Sequence, residues 1–267
     1  MGTAISKNHT FKTPLRFWLL MANFWKLVNK VIARADILLE IIDARMIKET
    51  RNAEVESKVK GEGKPLIYVV NKCDLADIEM LKKRIQGLHP CVFVSTTKHH
   101  GFSRLKERIL IEAHKRKIRQ PRVGVLGYPN VGKSSVINGL KGREAAKTSS
   151  ESGYTRSVQN IRVSPSIMMI DTPGVFPILE NDKIGNILTG AVDYSKAKNP
   201  EDAVLRLMEE HPGIIEKYFK VGAMADGDAA LGEIGAKKNF LKKGGTPDTD
   251  RTARHILKLW QKGDIKG

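Results

Sequence analysis

Gly127-Tyr128-Pro129-Asn130-Val131-Gly132-Lys133-Ser134 fits the pattern G-x-x-x-x-G-K-[ST] at every fixed position. A loop with glycine at both ends can turn its backbone N–H groups inward. Those donors, with the first turn of a following helix, form a cradle for phosphate oxygens. In this reading Val131, Gly132, Lys133, Ser134 and Ser135 surround the phosphates, the Lys133 ammonium reaches the β- and γ-phosphates, and the Ser134 hydroxyl sits on a Mg²⁺. The flanks agree: Arg122-Val-Gly-Val-Leu126 reads as a short buried strand, and 131–140 as a helix with Val136, Ile137 and Leu140 on one side. A bare glycine-rich loop is usually just a turn. The Lys-Ser ending between a strand and a helix favours phosphate.

Upstream of the loop the chain alternates. A helical pattern over 15–32 is followed by the apolar run 36–43, which ends in Asp43-Ala-Arg45. A short helix over 53–60 precedes a second buried strand, 66–70, ending in Asn71-Lys72-Cys73-Asp74. A helix over 78–88 leads to a third strand, 91–94, ending in Ser95-Thr96-Thr97, and a helix over 101–117 runs into a basic tail broken by Gln120-Pro121. Downstream, a polar loop over 142–156 contains Thr155, and two strands over 160–163 and 166–170 pair as a hairpin across Pro165 before Asp171-Thr172-Pro173-Gly174. Alternation of this kind predicts an α/β fold, a mostly parallel sheet with helices on both faces and ligands at the carboxyl ends of its strands. Beyond Pro177 the pattern is helical only, over 184–194, 200–210, 214–220, 229–241 and 248–261. The expected division is therefore 1–177 for the sheet domain and 178–267 for a small all-α domain.

The strand-end motifs carry specific chemistry. Asp74 supplies a carboxylate able to accept from both N1–H and the exocyclic amine of guanine. Adenine would present it with an acceptor and leave a buried charge unpaired. Lys72 would lie along the base plane and Asn71 would tie neighbouring loops. Ser95, Thr96 and Thr97 match in position a loop that covers the guanine O6 with backbone N–H groups, although Thr96 stands where Ala is usual. Asp171 would hold Mg²⁺ through water, the Gly174 N–H would meet the γ-phosphate, and Thr155 is the candidate threonine that closes onto Mg²⁺.

Bulk properties set the class. The chain has 267 residues, 41% hydrophobic and 28% charged, and no apolar run comes near the roughly 20 residues a membrane-spanning helix needs. Two cysteines, Cys73 and Cys91, suggest reduced thiols, and with no secretory pattern the expected location is the cytoplasm. Lys plus Arg number 46 against 29 Asp plus Glu, a net charge of +17. Such a surface attracts phosphate-rich partners. Aromatic content of 6% argues against a stacking platform for single strands and leaves a folded RNA as the better partner. DNA and membrane are not expected.

The nucleotide motifs occur in the order base, base, phosphate loop, threonine, Asp-x-x-Gly, whereas ordinary Ras-like P-loop GTPases begin with the phosphate loop. This order is circularly permuted. With Asp43-Ala-Arg45, Pro129-Asn-Val-Gly-Lys-Ser134 and the stretches 242–248 and 259–263, the chain resembles the circularly permuted YlqF/YawG (RbgA-like) GTPases. The resemblance implies a GTPase that uses GTP, GDP and Mg²⁺ and acts in assembly of the large ribosomal subunit, with that subunit or its rRNA precursor as partner and the protein as a monomer. It also implies a K⁺ ion held partly by the phosphate-loop Asn, here Asn130, whose plain reading is a turn-shaping residue. Catalytic roles then fall to Lys133, Asn130, Thr155 and Gly174. Val175 stands where Ras-like enzymes place the water-orienting Gln, and Leu20 and Met21 where the bacterial branch has a histidine, so turnover is expected to be slow and partner-stimulated. The competing expectation is a GTP-gated module for another structured RNA, with hydrolysis only as a reset. A metabolic kinase is disfavoured by Asn71 to Asp74.

Overall fold

The computed structural model describes residues 15–142, 159–171, 182–222 and 226–267, with the backbone alone at 15–21, 23, 159 and 171. Its sheet is built from β1 (Ile37–Asp43), β2 (Leu66–Asn71), β3 (Cys91–Phe93), β4 (Arg122–Leu126), β5 (Gln159–Ser164) and β6 (Ile167–Asp171), in the spatial order β3-β2-β1-β4-β6-β5. Strands β3, β2, β1, β4 and β6 are mutually parallel, and β5 runs antiparallel to β6. Every residue of β1 and of β2 is buried, so both faces of the sheet's middle are covered. That accounts for their unbroken apolar runs, since strands covered on both sides do not alternate.

Helix α1 (Leu15–Arg34) packs on β4 through a small-residue contact. A Cβ on Gly124 would come within 2.8 Å of Val31 Cγ1, so only glycine lets the helix approach this closely. Helices α2 (Ile47–Thr50), α3 (Ala53–Gly61), α4 (Ile78–Arg84), α5 (Phe102–Lys115) and α6 (Lys133–Lys141) complete this part. The α3 start is capped by Asn52, whose side chain accepts from the Val55 N–H, and the α4 start by Asp77 in the same way. The helix expected over 78–88 stops at Arg84, and Gly87, at φ +86°, follows in a left-handed turn.

The remaining described helices are α7 (Lys183–Leu188), α8 (Pro200–Glu210), α9 (Ile214–Phe219), α10 (Gly227–Lys237) and α11 (Thr249–Lys262). The single helix expected over 184–194 is instead α7 followed by Gly190 at φ +75° and a separate short turn, Tyr194–Lys196, capped by Asp193. Helix α11 buries Thr252, Ala253, Ile256, Leu257 and Trp260, a stripe at i, i+1, i+4, i+5, i+8 that presents one face to α8 and α10. Asp248 caps its start by accepting from the Arg251 N–H, and Gly263 at φ +84° ends it.

Buried apolar side chains form two clusters. One fills the sheet and its helices from Phe24 to Ile170; the other gathers Ile187, Leu207, Ile215, Leu231, Ile256, Trp260 and neighbours. Met46, which directly follows the Asp43-Ala-Arg45 stretch, belongs to the second cluster. The expected boundary at 177/178 lies outside the described residues. Both cysteines are free thiols, and among the described residues no helix is long and apolar enough to cross a membrane.

Candidate nucleotide site

Because five strands are parallel, their carboxyl ends share one edge of the sheet. Asp43 ends β1, Asn71 ends β2, Ser95 lies just beyond β3, Gly127 follows β4 and Asp171 ends β6. Five motifs dispersed over more than a hundred residues of sequence therefore reach one edge. The strand order reverses between β1 and β4, and the phosphate loop sits at that switch.

The phosphate loop is held in shape by backbone geometry and by its own lysine. Asn130 takes φ +61° and Gly132 φ +96°. Lys133 is buried, and its Nζ donates to the Gly127 carbonyl at 2.7 Å and to that of Tyr128. Ser134 and Ser135 are exposed on the first turn of α6. The left-handed turn at Asn130 supports the turn-shaping reading of that residue, and its Nδ2 donates to the Gly190 carbonyl beyond α7.

The base-reading loops are joined to the phosphate loop by one side chain. Asn71 is fully buried, and its Nδ2 donates to the Val131 carbonyl at 2.8 Å. Asp74 is half-buried and accepts from Thr97 Oγ1 at 2.9 Å, while Ser95 Oγ and Thr97 Oγ1 lie 3.1 Å apart. Burial raises the Asp74 pKa, but hydrogen bonds from Ser95 and Thr97 more than offset this and hold it below the ordinary carboxylate value. Thr96, Thr97, His99, Ser135 and Asn138 line a cleft of about 590 Å³, with the Phe102 ring packed on Gly139. That volume is in the range of small-ligand sites.

Lys72 has a carboxylate partner. Its Nζ pairs with Asp43 Oδ2 at 2.7 Å, and the residue takes a left-handed φ of +61°. Asp43 also receives Arg45 Nε at 3.1 Å and Arg45 NH2 at 2.9 Å. Burial works to raise the Asp43 pKa, but the two cations and their hydrogen bonds hold it far below the ordinary range. Asp171 is described by its backbone, at the end of β6 opposite Gln159. Thr155, Gly174 and Val175 lie outside the described residues.

Sequence reasoning did not single out the polar group behind the loop. Glu40, in the middle of β1, is buried; its Oε1 accepts from the Asn52 N–H at 2.9 Å. Beside it Glu56 takes a bidentate pair from Arg51, both at 2.9 Å, and the Tyr68 hydroxyl at 2.8 Å. The only signal was an acid inside an apolar strand. Burial, with the neighbouring Glu56 charge, pushes the Glu40 carboxyl up to about 8, against which the Asn52 N–H acts. A carboxyl protonated in the fold but ionised when unfolded contributes stability that is present below its unfolded value and lost as pH rises towards 8. Urea unfolding of Glu40→Gln should therefore show a flatter pH dependence than wild type. Between about pH 5 and 8 the difference should grow to the order of a few kcal/mol, and parallel curves would contradict the assignment.

The family described as 50S ribosome-binding GTPase matches residues 122–235, starting at β4 and the phosphate loop. An uncharacterized GTP-binding protein of Methanocaldococcus jannaschii is 38% identical over 246 residues, covering 90% of this chain and 65% of that protein. The crystal structure of GNP-bound YlqF from T. maritima superposes with a TM-score of 0.62 over 90% of this chain and 94% of its own, at 22% identity. The fold is shared along nearly the whole length, with the base-reading strands ahead of the phosphate loop. The chain has the circularly permuted fold of YlqF, and its sequence is similar to those of GTP-binding proteins. Among other similar proteins, nucleolar GTP-binding protein 2 of Neurospora crassa is 33% identical over 256 residues, 90% of this chain and 40% of that protein. The chain thus spans between 40% and 65% of the length of these two curated relatives.

Proposed function

We propose that this chain is a GTP-hydrolysing factor that acts in assembly of the large ribosomal subunit, binding the subunit or its rRNA precursor as a cytoplasmic monomer when GTP is bound. The observation that carries the reading is the bond from Asn71 Nδ2 to the Val131 carbonyl, which joins a guanine-selective carboxylate loop to a phosphate cradle. The net charge of +17 supports an RNA partner, and the matched family and the nucleolar relatives carry ribosomal or nucleolar names.

In this reading Asp74 selects guanine, the loop around Ser95, Thr96 and Thr97 closes over the base, and Val131 to Ser135 with Lys133 take the phosphates. The donor set suits a hard divalent cation, with an exposed hydroxyl at Ser134 and a carboxylate residue, Asp171, on the strand next to β4. Ser134, Asp171 and Thr155 would hold Mg²⁺, which supplies charge neutralisation at the β- and γ-phosphates. Gly174 would meet the γ-phosphate, and Asn130 would contribute to a K⁺ site. With Val175 in place of the water-orienting Gln, intrinsic turnover is slow and rises on the assembled partner. The helical part, 178–267, forms the second domain and faces RNA.

Co-sedimentation with large-subunit particles in a K⁺ buffer of stated ionic strength tests this. Binding should require a non-hydrolysable GTP analogue and survive moderate salt. Binding indifferent to nucleotide and abolished by salt would reduce the interaction to charge alone.

A further inference from the structure

The Asp43-Ala-Arg45 stretch is among the most heavily bonded segments of the described residues. Asp43 faces one way, with Lys72 Nζ at 2.7 Å; Arg45 faces the other. Arg45 NH1 donates to the Trp260 carbonyl at 2.6 Å, and its guanidinium lies 4.3 Å from the Trp260 ring centroid. Trp260 is fully buried and donates from its indole N–H to the Leu188 carbonyl at 3.0 Å. Beyond α11, the Gly267 N–H donates to the Leu75 carbonyl at 2.9 Å, next to Asp74. One buried carboxylate therefore neutralises both the lysine of the base-reading loop and the arginine that seats the last helix.

We propose that Asp43-Ala-Arg45 couples nucleotide occupancy to the seating of α11. Asp43 is a positioning residue for Lys72, and Arg45 makes that position conditional on Trp260. The physical reason is the shared carboxylate. If α11 leaves, Arg45 loses the Trp260 carbonyl and ring and keeps only its bonds to Asp43. The guanidinium, uncovered on that side, then turns towards water, and the carboxylate that it holds turns with it, away from Lys72. Whatever holds Lys72 in its base-binding place therefore favours a seated α11, and by linkage a seated α11 favours nucleotide. A partner that grips the terminal helices thereby acquires a lever on the guanine site. The coupling rests on the proposal that this site binds guanine nucleotide.

Hydrogen exchange on the full chain, with and without saturating GDP, separates the two. GDP should protect residues 127–141 and also α11, with the effect on α11, which Arg45 bonds, exceeding that on α9, its neighbour in the same apolar cluster, to which Arg45 makes none of its hydrogen bonds. In Arg45→Lys, which keeps the charge but not the fork or the stacking, protection of 127–141 should persist while the α11 response falls to the α9 level. GDP affinity should drop roughly tenfold, within the usual range of coupling between sites. Protection of 127–141 with an α11 response no larger than that of α9 in wild type would overturn the coupling alone. No protection at 127–141 would overturn the nucleotide reading and the coupling with it. An undiminished α11 response in Arg45→Lys would remove Arg45 from the path and with it the proposal.

Discussion

Asp74→Asn is expected to weaken GTP binding roughly 100-fold or more and to turn the preference towards xanthosine triphosphate. The carboxylate accepts from Thr97 Oγ1 on one oxygen and, with guanine in the site, would accept from N1–H and the exocyclic amine. An amide offers one acceptor and one donor, so one of guanine's donors would meet an N–H₂ group. A mismatch of this kind in a site built to hydrogen-bond its ligand costs several kcal/mol. Xanthine, with a carbonyl where guanine has the amine, restores the match. Isothermal titration with both nucleotides measures the exchange. Unchanged GTP affinity would remove Asp74 from the base site.

Gly132→Ala should be strongly damaging. The residue sits at φ +96°, and a Cβ there would lie 2.3 Å from Asn71 Nδ2. Relieving the clash means moving Asn71, which is wholly buried and whose bond to the Val131 carbonyl would be lost. A left-handed alanine costs about 1–2 kcal/mol. Breaking the buried bond adds about 1–3 kcal/mol, so a loss near 3 kcal/mol in urea unfolding is expected, with nucleotide affinity falling in parallel. Gly63→Ala supplies the control, since Gly63 has φ +64° with nothing within 4 Å of the added Cβ. It should show the backbone cost and leave nucleotide binding intact. Equal effects from the two substitutions would mean that Asn71 is not the tie between the loops.

Much of the sheet was legible because its strands are pure. The apolar runs at 36–43 and 66–70 became β1 and β2 within a residue or so, since a strand covered on both faces must be apolar throughout. The hairpin across Pro165 was legible for another reason, as proline cannot continue a ladder. Helix ends were less so. The pattern over 184–194 carries apolar residues at helical spacing across Gly190, and periodicity alone does not register a left-handed break. Glu40 was passed over because an acid within a strand says nothing of the Arg51, Asn52, Glu56 and Tyr68 that surround it.

By itself the sequence determined the fold class and the order of its motifs. The phosphate loop, Asn71 to Asp74, and their permuted arrangement are local statements, fixed by residue type and spacing within a few positions. Tertiary structure alone decided who partners whom. Lys72 pairs with Asp43; Arg45 spans 215 residues of chain to reach Trp260; Met46 packs with helices from the other end of the sequence. These pairings cannot be read from a string because charge and apolar surface carry no address. Several cations could have satisfied Asp43, and only the parallel register of β1 with β2, together with the packing of α11, brings Lys72 and Arg45 to the same carboxylate.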